Sequence, residues 1–529
     1  MSISGLHITM FAWLAALLVG GLWRRSSRLC LWWPAPSAAL VGGVLLAASY
    51  ALFSGWGVPS QRTVLMLASV GLLRLSGRRW PWPQVWLLTC AVVVAVDPWA
   101  LTQAGFWLSF VAVGVLFATD SGAASAGVTG VKARLRSMFQ EQWVITLALT
   151  PLTLLLFGQV SVVALVANAL AIPWVTLVVT PLAILGVLVP PLWDLAALAI
   201  AALDAYLRLL AALPLASISV AQAPLWAGIA GVAGGLLLAM PWPWSLRLMG
   251  LPLMLPVLLW QAPRPAPGQF ELLAADVGQG NAVLVRTAQH ALLYDTGPRF
   301  GRDSDAGHRV LVPLLRAFDV QLDRLMLSHR DSDHTGGALA VLAMQPQAEL
   351  LGSIEDDHEL QTVRQATRCV AGQHWRWDGV DFDVLHPQAA DYAVVSKNNA
   401  MSCVLRVSNG ARTALLVGDI EQAQEALLIG RQGARALKAD VLLVPHHGSR
   451  FSSSAAFLDA VQPQIALVQA GYRNRFGHPA APVLVRYQER HIRLIDSPHC
   501  GATTWQSAQP DQVKCQRAQA LRYWHHRAP

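Results

Sequence analysis

Apolar stretches follow one another from residue 6 to residue 260, broken only by short loops that carry Pro, Gly or Arg. About 18 such residues in a helix are enough to cross the hydrocarbon of a bilayer, where each backbone amide must find its partner inside the segment. The pattern predicts a polytopic α-helical membrane domain over residues 1–262. Spans are expected at 6–23, 37–53, 60–75, 84–100, 104–119, 143–157, 160–189, 193–213, 222–240 and 244–260. The run 160–189 contains Pro173 and Pro181 and reads as one broken helix or as two, so the count is ten or eleven. The first run lacks the charged lead and the small-residue cleavage site of a signal peptide, and reads as a true span.

Charge and histidine divide the chain at the same place. Residues 1–262 hold 12 Lys/Arg against 5 Asp/Glu, whereas the remainder holds 27 against 26. Nearly all of the net charge of +8 therefore sits in membrane loops, and a general nucleic-acid-binding surface on a soluble domain is not implied. Basic residues cluster at Arg24, Arg25 and Arg28, at Arg74, Arg78 and Arg79, and at Lys132, Arg134 and Arg136. These clusters follow the first, third and fifth expected spans and so share one face, which the positive-inside rule makes cytoplasmic. The amino terminus is then expected outside, and with ten spans the second half is outside too; an eleventh span reverses that last step. Polar residues inside the spans are His7, Arg62, Gln103 and Asn168, which either hydrogen-bond between helices or line a water-filled path.

Fourteen of the 15 histidines follow residue 262. The Pro-rich segment 261–268 marks the boundary, and beyond it short β-type runs alternate with apolar helical stretches. Strands are expected at 270–276, 281–286, 290–295, 322–328, 402–407, 412–418, 440–445 and 464–469, with helices at 308–318, 336–343 and 421–430. Residues 263–529 thus read as a layered α/β domain. Its central motif is His329-Arg330-Asp331-Ser332-Asp333-His334-Thr335-Gly336-Gly337, which follows the apolar strand Leu325-Met326-Leu327. Imidazoles and carboxylates so crowded repel and desolvate poorly unless a cation holds them, and this donor set suits zinc, manganese or iron. The six cysteines form no CxxC pair. Cys500 and Cys515 are either bridged, if their domain faces an oxidising compartment, or two buried free thiols.

The spacing resembles the His-x-His-x-Asp-His signature of the metallo-β-lactamase superfamily, with Asp331 in place of the second His. Leu292-Leu293-Tyr294-Asp295-Thr296-Gly297 is similar to the superfamily's first motif, Leu415-Leu416-Val417-Gly418-Asp419 to the one whose Asp bridges two metals, and Val444-Pro445-His446-His447-Gly448-Ser449 to the last ligand motif. The resemblance implies an αββα sandwich. It implies a first metal position at His329, Asp331 and Asn399, weak or filled by Mn²⁺ because Lys397-Asn398-Asn399 stands where the superfamily has a His. A second position is implied at Asp333, His334, Asp419 and His446 or His447. His478 either joins from the next strand end or is structural. Asp295 is expected to orient the metal loop, Asp419 to bridge, and His447 to donate a proton if His446 is the ligand. Lys397 and Arg450 either hold phosphate oxygens or are solvated.

Four strings in the membrane half resemble the competence domain of the ComEC family of DNA-internalisation proteins. They are Ser4-Gly5-Leu6-His7, Gln61-Arg62 followed by Met66, Asp97-Pro98 followed by Gly105-Phe106-Trp107-Leu108-Ser109-Phe110, and Asn168 with Pro173 and Pro181. Asp276-Val277-Gly278-Gln279-Gly280-Asn281 is similar to the opening of that family's hydrolase domain, with Asn in the last place. The resemblance implies DNA uptake in natural transformation: a multi-pass inner-membrane channel for single-stranded DNA, and an extracytoplasmic nuclease that uses one or two Mn²⁺ or Zn²⁺ ions. Other competence proteins are implied as partners, namely a DNA receptor and a cytoplasmic ATPase or single-strand-binding protein, and a homo-oligomer is left open. No ATP-binding P-loop is present, so transport energy is expected from partners or the gradient. Relative to the family the chain reads as lacking an amino-terminal region. Two rival readings are a transport module with an inactive hydrolase fold and a membrane-anchored hydrolase of a small substrate such as a lactam or thioester.

Overall fold

A computed structural model describes residues 5–78, 80–119, 131–213, 216–394 and 397–525, without the side chains of 5–7 and 131–138. It divides into two compact units, Met1–Trp260 and Gln261–Pro529. Arg79 lies outside the described residues, as do the side chains of His7, Lys132, Arg134 and Arg136.

The first unit is helical. Its longer helices are Gly5–Trp23, Ala35–Phe53, Val58–Leu75, Trp82–Val96, Ala104–Thr119, Val131–Phe157, Pro191–Ala211 and Leu225–Ala239. By length and hydropathy alone, two described helical runs suffice to cross a membrane, Ala35–Phe53 and Ala164–Leu185; several others are apolar but shorter. Close helix approach uses glycine. A Cβ on Gly234 would stand 2.5 Å from the Gly250 carbonyl, so Leu225–Ala239 and Gly250–Leu258 meet backbone to backbone, the packing mode favoured where water supplies no drive for helix association.

Several expectations for this unit need correction. The span at 84–100 stops at Val96, because Asp97 turns the chain into the 3₁₀ segment Pro98–Thr102 by accepting the Trp99 amide at 3.1 Å. The basic cluster 132–136 lies in the first turns of the helix Val131–Phe157 and not in a loop. The run at 160–189 opens with a short strand, Gln159–Ser161, paired antiparallel to Ser217–Ser219. It then forms one helical run in which Ala164–Trp174 and Thr180–Leu185 flank a π-turn at Val175–Val179. Pro173 and Pro181 each remove an amide donor, and between them the bonding slips by one residue: the Thr180 amide reaches the Val175 carbonyl. The last span, 244–260, is split into Trp244–Leu248 and Gly250–Leu258.

The second unit is built on two sheets. One has eight strands in the order Ala366–Arg368, Glu349–Gly352, Arg324–Leu327, Ala291–Tyr294, Val283–Arg286, Glu271–Ala274, Thr503–Gln506, Gln509–Cys515. The other has seven, in the order His374–Trp377, Val380–His386, Val404–Ser408, Thr413–Leu416, Val441–Leu443, Ile465–Val468, Arg493–Asp496. Because side chains alternate across a strand, each sheet buries both faces. Leu272, Leu292, Tyr294 and Met326 meet Phe382, Leu405, Leu416 and Leu443 between the sheets. On the outer face of the first sheet, Leu273, Leu293, Leu325 and Leu327 pack against Leu311, Leu315 and Val341 from helical segments. On the outer face of the second, Leu415, Leu442 and Ala466 meet Leu428, Phe457 and Tyr487. The layers are therefore helix, sheet, sheet, helix. Cys500 and Cys515 are joined in a disulfide, and Cys369 and Cys403, not singled out in the sequence, form a second pair between the sheets.

Candidate metal centre

The donors converge where strands end. Asp295 follows Ala291–Tyr294 with φ at +60°, a backbone conformation that bends the chain at once and costs a non-glycine residue energy. His329 to His334 follow Arg324–Leu327, Asp419 follows Thr413–Leu416, and His446 and His447 follow Val441–Leu443, also at positive φ. Adjacent strands in each sheet thus deliver their loops to one place.

Asp333, His334, Asp419 and His447 each offer a donor atom, and these atoms lie within 4.8 Å of one another. His334 Nε2 stands 3.3 Å from Asp419 Oδ1, and His447 Nε2 stands 3.3 Å from Asp333 Oδ2 and 3.5 Å from Asp419 Oδ2. Each imidazole is oriented from behind. His334 Nδ1 meets Asp295 Oδ2 at 2.8 Å, and His447 Nδ1 meets the Gln469 carbonyl at 2.7 Å. With both Nδ1 atoms engaged, Nε2 is the atom left to face the centre. His329, His334 and His447 each have a buried Nε2 without a hydrogen-bond partner, and so does Asp419 Oδ1. Buried polar atoms are normally paired, and those of His334, His447 and Asp419, with Asp333 beside them, match the donor set of a divalent cation.

The carboxylates and imidazoles of the centre offset one another's charge. Burial works to lower the His334 pKa, but Asp419 and Asp295 outweigh it and hold it well above the usual value. His447 is raised in the same way, by Asp419 and Asp333 against burial. Burial alone would raise Asp419, yet His334 and His447 hold it well below the usual carboxylate range. Asp333 is likewise brought down to about 2 against its burial, chiefly by His447 and His334. The carboxylates thus favour the ionised form that a cation requires, whereas both imidazoles would release a proton on ligating one.

The remaining sequence candidates divide. His329 belongs to the centre's wall: its Nε2 is 3.4 Å from Asp331 Oδ2 and its Nδ1 is 3.0 Å from Ser328 Oγ. Asp331 is lowered by His329 and accepts a hydrogen bond from Asn398 Nδ2 at 2.5 Å. Asn399, expected beside Asp331, instead places its Nδ2 3.4 Å from His446 Nε2. His446 sits at the edge, 3.7 Å from Asp419 Oδ2, and burial lowers its pKa. Of the two adjacent imidazoles it is His447 that enters the four-donor cluster, because its ring is pinned by the Gln469 carbonyl. His478 stands behind both, with ring centroids 5.8 Å from His446 and 6.3 Å from His447, and burial with these two neighbours lowers its pKa to about 4. Lys397 and Arg450 are exposed. In the helical unit, Arg62 has Nε and Nη1 buried without a hydrogen-bond partner, and its guanidinium lies where a Cβ on Gly105 would be, 2.9 Å from Nη2. Gln103 ends the turn after Asp97 and Asn168 is exposed, while His7 has only its helical backbone described.

Three contributors stand outside the expected site residues. Ser328 gives its amide to Asp295 Oδ1 at 2.7 Å and its hydroxyl to Asp295 Oδ2 at 2.8 Å, and so locks the carboxylate that holds His334. Ser402 Oγ accepts the Asp419 amide at 3.1 Å. Gln469 fixes His447 through its carbonyl. A serine or glutamine carries no metal-ligand signature, and only adjacency to a motif, as with Ser328 before His329, could have drawn attention to them.

An αββα sandwich with carboxylates and imidazoles gathered on its strand-end loops defines a hydrolase-type fold of the metallo-β-lactamase kind, and the model of the metallo-beta-lactamase superfamily matches residues 275–472. The model described as competence protein matches residues 1–245. The chain is 35% identical to "Competence protein ComA" of Neisseria gonorrhoeae over all of its own length and 73% of that protein's. It is 33% identical to "Uncharacterized protein YcaI" of Escherichia coli over 99% of its own length and 69% of that protein's. It is 28% identical to "Recombination protein 2" of Haemophilus influenzae over 85% of its own length and 61% of that protein's. The chain belongs to the competence protein family.

Proposed function

We propose that this chain acts in DNA uptake during natural transformation. Its helical unit spans the inner membrane many times and passes single-stranded DNA, and its second unit degrades the strand left outside. The observation that carries the hydrolytic part is the cluster of four donors, in which His334 Nε2, His447 Nε2 and Asp419 Oδ1 are buried without a hydrogen-bond partner. The family supports the transport part, and so does the surface of the helical unit, where Leu18, Phe53, Leu72 and Leu188 are between 67% and 92% exposed. Apolar side chains this bare in number fit a lipid surround. DNA is the substrate on this reading, and a surface receptor and a cytoplasmic ATPase or single-strand-binding protein are the partners.

Asp333, His334, Asp419 and His447 would hold a single Zn²⁺ or Mn²⁺. Such a cation lowers the pKa of water towards neutrality and offsets charge that builds on a scissile phosphate. Asp295 and Ser328 keep His334 in the ligating tautomer, Ser402 holds the Asp419 loop, and the His329 imidazole and Asp331 carboxylate form the wall beside them. His446, at the edge of the cluster, would exchange a proton with the leaving group, the part expected of His447 only if His446 were the ligand. Deleting the gene in its host tests the transport reading. Transformation by a chromosomal marker should be lost while DNA still binds the cell surface, and the wild-type chain should restore it. A deletion strain that transforms normally contradicts the proposal.

A further inference from the structure

Beside the metal loop lies a cleft of about 540 Å³, lined among others by Arg330, Arg368, Tyr392 and Asn398. Asn398 is the residue that bonds Asp331, and Arg330 precedes Asp331 in the chain, so the cleft opens next to the proposed cleavage centre. Arg368 lies over the Tyr392 ring at 5.4 Å. A third arginine, Arg299, borders the same loop: a Cβ on Gly336 would collide with its backbone nitrogen.

These three arginines come from separate parts of the chain, yet one short acidic segment engages all of them. Arg330 pairs with Glu355 at 2.7 Å, Arg368 with Asp356 at 2.6 Å, and Arg299 with Glu359 at 3.4 Å. All six side chains are between 44% and 77% exposed. Exposed pairs of this kind contribute little to stability and exchange readily for another anion. A phosphodiester backbone offers anions in series and gains from the counterions it releases, and guanidinium groups suit phosphate oxygens.

We propose that Arg299, Arg330 and Arg368 form a rim that binds the backbone of a single DNA strand beside the metal centre, and that residues 355–359 are an internal acidic strap which the strand displaces. This rests on the nuclease reading of the same site. The strap makes binding depend on several consecutive phosphates, so short anions are refused while a polyanion is admitted.

The test uses the full chain in detergent with EDTA, so that no cleavage occurs, and a short fluorescent oligothymidylate. Arg330→Gln/Arg368→Gln should weaken binding about tenfold and reduce the slope of log affinity against log salt by about 1.4, the value for two lost contacts to a single strand. Arg299→Gln/Arg368→Gln, which leaves the metal loop untouched, should act alike. Glu355→Gln/Asp356→Asn/Glu359→Gln should tighten binding about fivefold, and that gain should vanish when the arginines are also replaced, as coupled sites require. Wild-type affinity in both arginine variants overturns the proposal, and so does a gain from the strap variant that survives without the arginines. Because binding is read without metal, this failure is distinct from a failure of the chain to cleave DNA.

Discussion

At the scale of single residues, the site depends on which nitrogen each histidine has free. His447 has its Nδ1 on the Gln469 carbonyl and turns Nε2 inward, whereas His446 reaches only the edge. His447→Ala should therefore weaken Zn²⁺ binding by more than the ten- to about hundredfold typical of residues that merely orient a ligand, and His446→Ala by less than about tenfold. Titration calorimetry on both variants checks this, and equal losses would contradict the assignment. The donors were legible in the sequence because His and Asp crowded behind an apolar strand are hard to accommodate without a cation. The ranking of two adjacent histidines was not, since the choice lies in a carbonyl at the end of the neighbouring strand, 22 residues on in the chain. Nor was the placing of Asn398 rather than Asn399 on Asp331, which the 3₁₀ turn Asn398–Met401 decides.

At the scale of elements, the most continuous apolar strands were legible, whereas Glu349–Gly352, Val380–His386 and Thr503–Gln506 inside the sheets and the strands at the sheet edges were not. Leu325-Met326-Leu327 and Leu415-Leu416-Val417 are continuous apolar runs, because one side chain meets the other sheet and the next a helix. His374–Trp377 and Gln509–Cys515 lie at sheet edges, carry exposed polar residues, and are not among the expected strands. The turn that closes the first of these edge hairpins also fastens the two sheets. Asp378 accepts Thr287 Oγ1 and the Gln289 amide, both at 2.7 Å, and faces His290 Nδ1 at 3.2 Å. Burial works to raise its carboxyl, but these donors outweigh it and bring the pKa from 3.8 to about 2. The folded state thus binds this proton less tightly than the unfolded chain. Its contribution is complete above about pH 4 and is lost as pH falls towards about 2. Asp378→Asn should lower thermal stability at pH 7 and flatten that acid-side decline. An unchanged decline, followed by calorimetry, would show that the clamp carries no linkage.

At the scale of the whole chain, two kinds of composition were legible at once. Apolar runs separated the first half from the second because lipid and water demand different surfaces. What composition hid was the interruption of those runs. Asp97 ends one helix by capping the next turn, and two prolines shift the bonding of another into a π-turn. Such breaks leave short helical pieces in an otherwise apolar sequence, and they occur at the strings by which the helical half resembles its family.

The central claim is that the second unit hydrolyses DNA with a metal held by Asp333, His334, Asp419 and His447. The most direct measurement is cleavage of labelled single- and double-stranded DNA by the purified chain in detergent, with Mn²⁺ or Zn²⁺, for wild type and Asp333→Ala/His334→Ala. The account predicts cleavage that requires the metal and disappears in the double variant. A folded, metal-loaded wild type that cleaves neither substrate with either ion would contradict it, as would cleavage that persists in the double variant.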